Sequence, residues 1–519
     1  MKTLFLVLLS LSSFAVCKGQ ITSDYPFKTF LDKDNNLYVT GYEPSGNTND
    51  IYIAKYPPTN STTYLWKYLL LNTNGDDMGL DLVADSTGNC FITGSFHNII
   101  SNSKDIIVIA LNPNGTIHWS KIYNNPGEDK GMSISIKQTE NGSISEVIIS
   151  GYVQNGATGK DFIIKSYNGD DGDTTNQIHH ITPLPGDDVA TDILLDDFHA
   201  YVVGYTTESN GINTDIKIQT YDIMGNALIE DLTYNRPGSN EKPAEFVITE
   251  YSDNAISKSR SSVVSVTDEI LIGFARQRYL TVYFDEDHNH QLQVRWAKTI
   301  WGPVRMASSI PTAITTDGYG NVFVTGYMQT PKDPVTGYNS GLDFATVKYN
   351  PSGQYGWNNP GNIIFSNYND TSTTGMDDRA SSIKINEGGV IYVAGMSQGS
   401  PNGFSIAEIK DEGRVPRLVR QNSFVPNFMD SDNPTAQKFN LWAKLELTSD
   451  GTPLMITMGW NETEAHWAAV KYGQSGNIEY TINNDPVEDK NTESDTKNKN
   501  IPIKNNNYPK SFKPARDLE

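Results

Sequence analysis

One phrase recurs along this chain and limits what it can fold into. It is an Asp-rich turn followed by a short apolar stretch that ends in Gly. It reads Asp32-Lys-Asp-Asn-Asn-Leu-Tyr-Val-Thr-Gly41, then Asp85-Ser-Thr-Gly-Asn-Cys-Phe-Ile-Thr-Gly94, and most cleanly Asp317-Gly-Tyr-Gly-Asn-Val-Phe-Val-Thr-Gly326. Weaker copies end at Gly151, Gly204, Gly273, Gly395 and Gly459. The eight copies lie about 60 residues apart. A fixed period of this kind belongs to repeated supersecondary units, not to one irregular core.

A second phrase follows most of these glycines: Asp50-Ile-Tyr-Ile-Ala-Lys-Tyr56, Asp105-Ile-Ile-Val-Ile-Ala-Leu111, Asp161-Phe-Ile-Ile-Lys-Ser-Tyr167, Asp215-Ile-Lys-Ile-Gln-Thr-Tyr221 and Asp343-Phe-Ala-Thr-Val-Lys-Tyr349. Tight turns such as Asn112-Pro-Asn-Gly115 and Asn350-Pro-Ser-Gly353 come next, then a strand that often carries Trp: Trp66, Trp119, Trp296, Trp357. Gly and Asn accept positive φ, and Asn and Asp bond their own backbone, so these turns suit hairpins. Each unit therefore reads as four antiparallel strands. Separate small sheets would leave two open edges per unit; closing the units into a ring buries each sheet face on its neighbours. The expected fold is all-β, a single β-propeller over 25–480 with eight four-stranded blades. The fifth unit lacks the Asp-rich turn and carries an insertion at 252–268; if it is not a blade, seven remain.

The run 317–326, followed by Asp-Phe-Ala-Thr-Val-Lys-Tyr-Asn-Pro-Ser-Gly353, resembles the SBBP repeat of exported bacterial proteins, named for a seven-bladed propeller. The match is strong at 313–357, good at 30–66 and 83–119, and faint at 240–296. The resemblance implies a propeller and export, and it supplies no catalytic motif.

Asp and Glu (61) outnumber Lys and Arg (40), for a net charge of −21. That argues against gripping nucleic-acid phosphates, which takes basic stripes. Two cysteines exclude a disulfide scaffold. Cys90 lies in a strand pattern and reads as a buried, unpaired core thiol. Residues 1–19 read as a signal peptide, with Lys2 before an apolar stretch from Leu4 to Val16 that is too short to span a bilayer. Cleavage after Gly19 would free Gln20; alternatively Ala15-Val16-Cys17 serves as a lipobox and Cys17 carries a lipid anchor. No later stretch suits a transmembrane helix. The expected location is exported: periplasmic, outer-membrane-associated or secreted. Residues 483–519, rich in Asn and charge, read as a disordered polar tail.

Strand order places the 1–2 and 3–4 turns on one face. The 2–3 loops and blade-to-blade links lie on the other. The first set reads as short and uniform; the second varies, at 42–49, 95–104, 152–160, 205–214, 327–342 and 422–440. Variable loops on a rigid scaffold are where binding resides. Tyr327, Tyr338, Phe424, Phe428 and Trp460 are the expected partner-binding residues there, and Trp467 is expected to pack blade on blade. Acid pairs precede the innermost strands: Asp76-Asp77, Glu128-Asp129, Asp187-Asp188 and Asp377-Asp378. They read either as a carboxylate ring for Ca²⁺ or as acceptors for backbone N–H groups that lock blade to blade, with one acid of each pair left freer. Unpaired members of such a ring would have raised pKa values. His288 and His290, within 285–290, read as a solvated turn; His179-His180 reads as surface; Arg414, Arg417 and Arg420 read as paired with neighbouring acids. No cofactor other than Ca²⁺ is expected.

Two functions compete. One is a non-catalytic envelope module that binds a protein or glycan through the long-loop face. The other is a propeller-fold polysaccharide lyase or glycosidase. The acids follow the repeat, whereas a catalytic pair breaks symmetry, so the binding module is preferred.

Overall fold

The computed structural model describes residues 25–483, apart from 331–340, 367–376, 427–439 and shorter stretches in turns. The leader with Cys17, Tyr338, Phe428, His288, His290 and the tail beyond Asn483 lie outside the described residues. Among the described residues there are eight antiparallel sheets of four strands, each with its strands in chain order. Blade one is β1 (Tyr25–Leu31), β2 (Leu37–Ser45), β3 (Thr48–Tyr56) and β4 (Trp66–Leu70); the last blade is β29 (Asn440–Leu447) to β32 (Ile478–Asn483). The architecture is a single eight-bladed β-propeller.

Eight apolar clusters hold the ring, one between each pair of neighbouring blades. In blade one, Tyr38 faces blade two while Val39 faces blade eight. This is the period-two alternation of a strand whose two faces are both covered. The seam between blades eight and one exchanges no strand. It is closed by Tyr56 against Trp467, with ring centroids 5.1 Å apart, and by Leu37, Val39 and Tyr52 in one cluster with Leu454, Ile456 and Met458. Trp467 is fully buried there, as expected. Cys90 is a buried free thiol, also as expected, and burial pushes its pKa up.

The recurring glycine has a specific cause. The innermost strands are bulged, for example at Gly79/Asp81, Ala190/Asp192, Pro311/Ala313 and Ala380/Ser382. At the bulge a carbonyl is driven over the facing residue of the second strand. A Cβ on Gly94, Gly151, Gly204, Gly326 or Gly395 would overlap the carbonyl oxygen of Met78, Lys130, Val189, Ile310 or Arg379 respectively. The glycine does not end the strand; β2 runs on from Gly41 to Ser45.

The fifth unit is a full blade: β17 (Glu241–Asp253), β18 (Ile256–Leu271), β19 (Phe274–Glu286) and β20 (Leu292–Ile300). The apparent insertion at 252–268 is lengthened strand, paired from Glu241↔Thr267 out to Asp253↔Ile256. Its bulge lies opposite Ser265, so the residue equivalent to the glycine is Ser265 and not Gly273.

Outer tryptophans tie blades one, two and five to the blade that follows. Trp66 Nε1 donates to the Pro113 carbonyl at 2.9 Å, Trp119 to Gly169 at 3.0 Å and Trp296 to Pro351 at 3.0 Å. Gly115 (φ +81°) and Gly353 (φ +75°) lie directly against the Trp66 and Trp296 rings. The turn glycine thus meets two demands, positive φ and room for an indole. Trp357 departs from expectation. It lies in the connection before β24 (Ile363–Ser366), fully buried, and donates to Asp411 Oδ1 at 3.0 Å.

Gly326→Ala is expected to cost about 3 kcal/mol by urea denaturation, since the bulge carbonyl must move. Gly318→Ala has open space around its Cβ and a backbone that L-residues adopt; it should change stability by less than about 0.5 kcal/mol.

Candidate functional site

The links and 2–3 hairpins share one face. Their lengths differ from expectation: 42–49, 95–104 and 152–160 are mostly paired strand, with Ser45↔Thr48, Asn98↔Ser103 and Asn155↔Gly159 closing the hairpins. The opposite face is less uniform than expected, because β3–β4, β11–β12 and β23–β24 have longer connections. The hairpin connections on the loop face that exceed three residues are 99–102, 208–213, 330–341, 398–402 and 461–464, in blades two, four, six, seven and eight, and the longest interval between blades is 425–439.

The acid pairs sit at the starts of the inner strands β5 (Met78–Ala84), β9 (Lys130–Gln138), β13 (Val189–Leu195) and β25 (Asp378–Ile385). The second acid of each pair accepts from the backbone at the end of its own blade's second strand. Asp77 takes the His97 amide at 2.6 Å, Asp129 the Gln154 amide at 2.8 Å, and Asp378 the Gln398 amide at 3.2 Å. Asp188 faces the Thr206 hydroxyl and the Thr207 amide. The first acid reaches the third strand of the preceding blade. Asp76 takes the Asn49 amide at 3.0 Å, Asp187 that of Lys160 at 3.1 Å, and Asp377 that of Leu342 at 3.2 Å. The amides of Asp77, Asp129 and Asp188 return bonds to Asn49, Lys104 and Lys160 carbonyls. The first acid's carboxylate and the second acid's backbone amide therefore lock blade to blade, while the second acid's carboxylate braces its own blade; Glu128 is exposed and has no such bond. Among the described residues no three His, Cys, Asp or Glu side chains converge as a cation site requires.

Burial raises the Asp129 pKa to about 7, with Asp105 and Glu128 adding repulsion, and the Asp188 pKa to about 6, with Asp161 adding to it. The shift falls on hydrogen-bonded acids, and its main cause is desolvation rather than a ring of repelling charges.

The aromatic candidates are not brought together. Tyr327 lies within β22 (Val322–Gln329), half-buried, with the Arg379 guanidinium 5.5 Å from its ring centroid. Phe424 ends β28 (Pro416–Phe424) on the outer edge and packs on the blade seven–eight cluster. Trp460 ends β30 (Pro453–Trp460). Neither Tyr327 nor Phe424 stands in a free loop. His180 is not simply surface: it is half-buried in β12 (His179–Thr182), its ring 5.7 Å from Tyr221. Arg417 and Arg420 pair with Glu412 and Glu408, as expected.

The inner strands carry a polar belt along the axis that the sequence reading missed. Lys28 Nζ lies 2.8 Å from Asp81, whose other oxygen accepts from the Ser133 hydroxyl at 2.6 Å and the Ile134 amide at 3.0 Å. Ser133 lies 3.0 Å from Asp192. Across the ring, Lys444 lies 3.2 Å from Glu446 and donates to the Thr29 carbonyl. Burial works against the charge on Asp81, but Lys28 and these donors outweigh it and hold its pKa below the usual value. Burial lowers the Lys444 pKa to about 8. Most of the belt follows the bulges. The signal was a polar residue just past the bulge, at Lys28, Asp81, Ser133, Asp192, Glu245 and Ser382. Above the belt, Phe27, Leu80, Met132, Tyr152, Val189 and Tyr205 form an apolar layer across blades one to four.

No protein-family model and no curated protein matches this chain. Solved structures do. The β-propeller domain of the trilobed protease from Pyrococcus furiosus is 10% identical, with 78% of this chain and 95% of that chain covered and a TM-score of 0.36. Sqt1 from Chaetomium thermophilum is 7% identical, covering 85% and 95%, with a TM-score of 0.46. The polysaccharide lyase Uly1 is 11% identical, covering 78% and 90%, with a TM-score of 0.38.

Folded pKa values of about 7 and about 6 exceed the unfolded value near 4, so the folded state holds these protons more tightly. The stability they contribute is complete below about pH 4 and is lost as pH rises through 6 and 7. The melting temperature should therefore fall between about pH 5 and 8. Asp129→Asn with Asp188→Asn should flatten that slope; an unchanged slope would assign it to other groups.

Proposed function

We propose that this chain is an exported, non-catalytic binding module of the bacterial envelope that takes a protein or glycan partner on its long-loop face. The carrying observation is how the acids are used. Of the repeated carboxylates, from which an acid/base pair would be drawn, those of Asp76, Asp77, Asp129, Asp187, Asp377 and Asp378 already accept from backbone amides. Against that fixed scaffold, the hairpin connections on one face differ in length and sequence, from two residues at 46–47 to twelve at 330–341, and the longest interval between blades, 425–439, belongs to the same face. Export rests on the leader pattern at 1–19, with either Gln20 free or Cys17 lipidated. No helix among the described residues is long and apolar enough to cross a membrane.

Because Tyr327 and Phe424 belong to strands, the test exchanges only 330–341 and 425–439 for short Gly/Ser turns. The variant should keep its melting temperature within a few degrees and lose the partner that wild type retains from envelope extract. Retention of that partner, with loss after changes in the turns at 318–321 and 351–353, would assign binding to the other face. Millimolar Ca²⁺ should leave the melting temperature unchanged, since six of the eight acids already accept from backbone amides; a rise reversed by chelator would reinstate a cation site.

A further inference from the structure

A second site lies on the face opposite the loops, at the junction of blades two and three. Its chemistry is set by one register position that is filled differently from blade to blade. In blade one that position pairs Tyr38 with Lys55, and in blade six it pairs Phe323 of β22 with Lys348 of β23 (Leu342–Tyr349). Both pairs face the blade that follows. Each lysine crosses the aromatic ring opposite: the Lys55 ammonium lies 4.6 Å from the Tyr38 centroid, and that of Lys348 lies 5.5 Å from the Phe323 centroid. Each ammonium then reaches an acid. Lys55 meets Asp32, in its own blade's 1–2 turn, at 3.2 Å. Lys348 meets Asp411, which ends β27 (Gly403–Asp411) of the next blade, at 2.5 Å.

In blade two the same position pairs Phe91 of β6 (Cys90–Asn98) with Ala110 of β7 (Ser103–Leu111). The lysine is missing, and a cavity of about 300 Å³ lies there. Phe91 and Ala110 line it, and Ile144 of β10 (Ile144–Asn155) adds an apolar wall from blade three. Both kinds of acid that hold the lysines elsewhere also line it. Asp85 stands in the 1–2 turn, as Asp32 does in blade one. It accepts the Asn89 amide at 2.8 Å, as Asp32 accepts that of Asn36 at 2.8 Å. Asp170 follows the third strand of the next blade, β11 (Gly159–Asn168), much as Asp411 ends that strand for blade six. Among the described residues no Lys or Arg lines the cavity, and neither Asp85 nor Asp170 has a cation within ion-pairing distance. Lys55 comes near Gly88 of this turn, but Asp32 and the Tyr38 hydroxyl already hold it. Lys121 lays its stem towards Gly172, outside the lining. His118, exposed at the rim, is the one basic side chain among the described lining residues.

We infer that this cavity binds a linear aliphatic diamine or polyamine in the place of the missing lysine. The alkyl stem packs on Phe91, Ala110 and Ile144, and an ammonium gains the Phe91 ring and a carboxylate together. Burying an ammonium is costly unless it is paired, and here the acids are already in position. An anion is disfavoured, because it would meet two carboxylates with no cation between them. The cavity is larger than a lysine stem beyond Cβ, which leaves room for a second ammonium. A partner's lysine side chain has the same chemistry but brings one charge for two carboxylates, so the free diamine is the closer match.

The test is calorimetric titration of the full chain with cadaverine at physiological ionic strength, where scattered surface charges are largely screened. The comparison probes are n-pentylamine, 1-pentanol and N-acetyl-lysine methylamide. Cadaverine should bind more tightly than pentylamine, and pentanol should not bind. Ala110→Lys should supply the missing ammonium from the chain itself. It should abolish cadaverine binding and leave the melting temperature no lower than that of wild type. Asp170→Asn, in an exposed turn, should weaken binding ~10-fold or more, as expected for loss of a charge-assisted contact. The Gly/Ser loop exchange should bind cadaverine like wild type, because it alters the other face. Absence of cadaverine binding, or unchanged affinity in both Ala110→Lys and Asp170→Asn, overturns the proposal. Pentanol binding equal to that of cadaverine overturns recognition of the ammonium. Tighter binding by N-acetyl-lysine methylamide overturns the choice of a free amine and assigns the cavity to a partner's lysine.

Discussion

A sheet that is apolar on both faces is stable in water only when another sheet covers each face, and every blade here is such a sheet. Covering both faces of every member forces the row into a ring. The ring is completed at blades eight and one without a shared strand, with the packing of Tyr56, Trp467 and their neighbours taking the place that such a strand would hold. Polar contacts finish that seam: Asn35 exchanges bonds with Ser449 at 2.7 and 2.9 Å, and the Thr481 amide reaches Asn60 at 2.8 Å. Opening it would expose eleven buried side chains in one step, which makes the ring one cooperative unit.

The repeated residues make sense as solutions to the geometry of that ring. Inner strands crowd the axis, so they bulge, and the bulge forces glycine on the second strand. The polar residue just past the bulge then meets its counterpart on the next blade, as Lys28, Asp81 and Ser133 do. At the perimeter, blades spread apart, and a tryptophan spans the gap to the next turn, where only glycine leaves room. Acids at the links satisfy amides that a blade-to-blade crossing would otherwise leave buried without partners. Repetition in the sequence is therefore a record of structural demands. The unequal 2–3 connections fall outside it, the longest being 330–341 in blade six.

Much of the architecture was legible. The strands, the hairpin turns, the eight units and the blade-locking use of acids all follow from local patterns: alternation, Asn-Pro-x-Gly turns and period. The fifth blade was harder to read because its register is set by a bulge opposite Ser265, and Ser carries no turn or glycine signal. The aromatic candidates misled for a related reason. Tyr327 and Phe424 flank long connections in the sequence, but strand pairing runs one or two residues further than the turn residues suggest, and each side chain is drawn into a blade junction.

Sequence alone determined the closed all-β ring, because its signals are local hydrogen bonding and two-sided apolar strands. Tertiary structure alone decided which charges meet. Lys28 and Asp81 are one blade apart, and Lys444 and Thr29 are joined across the seam. The energy of a charge depends on what surrounds it in space, and no spacing along the chain encodes that once eight blades close around one axis.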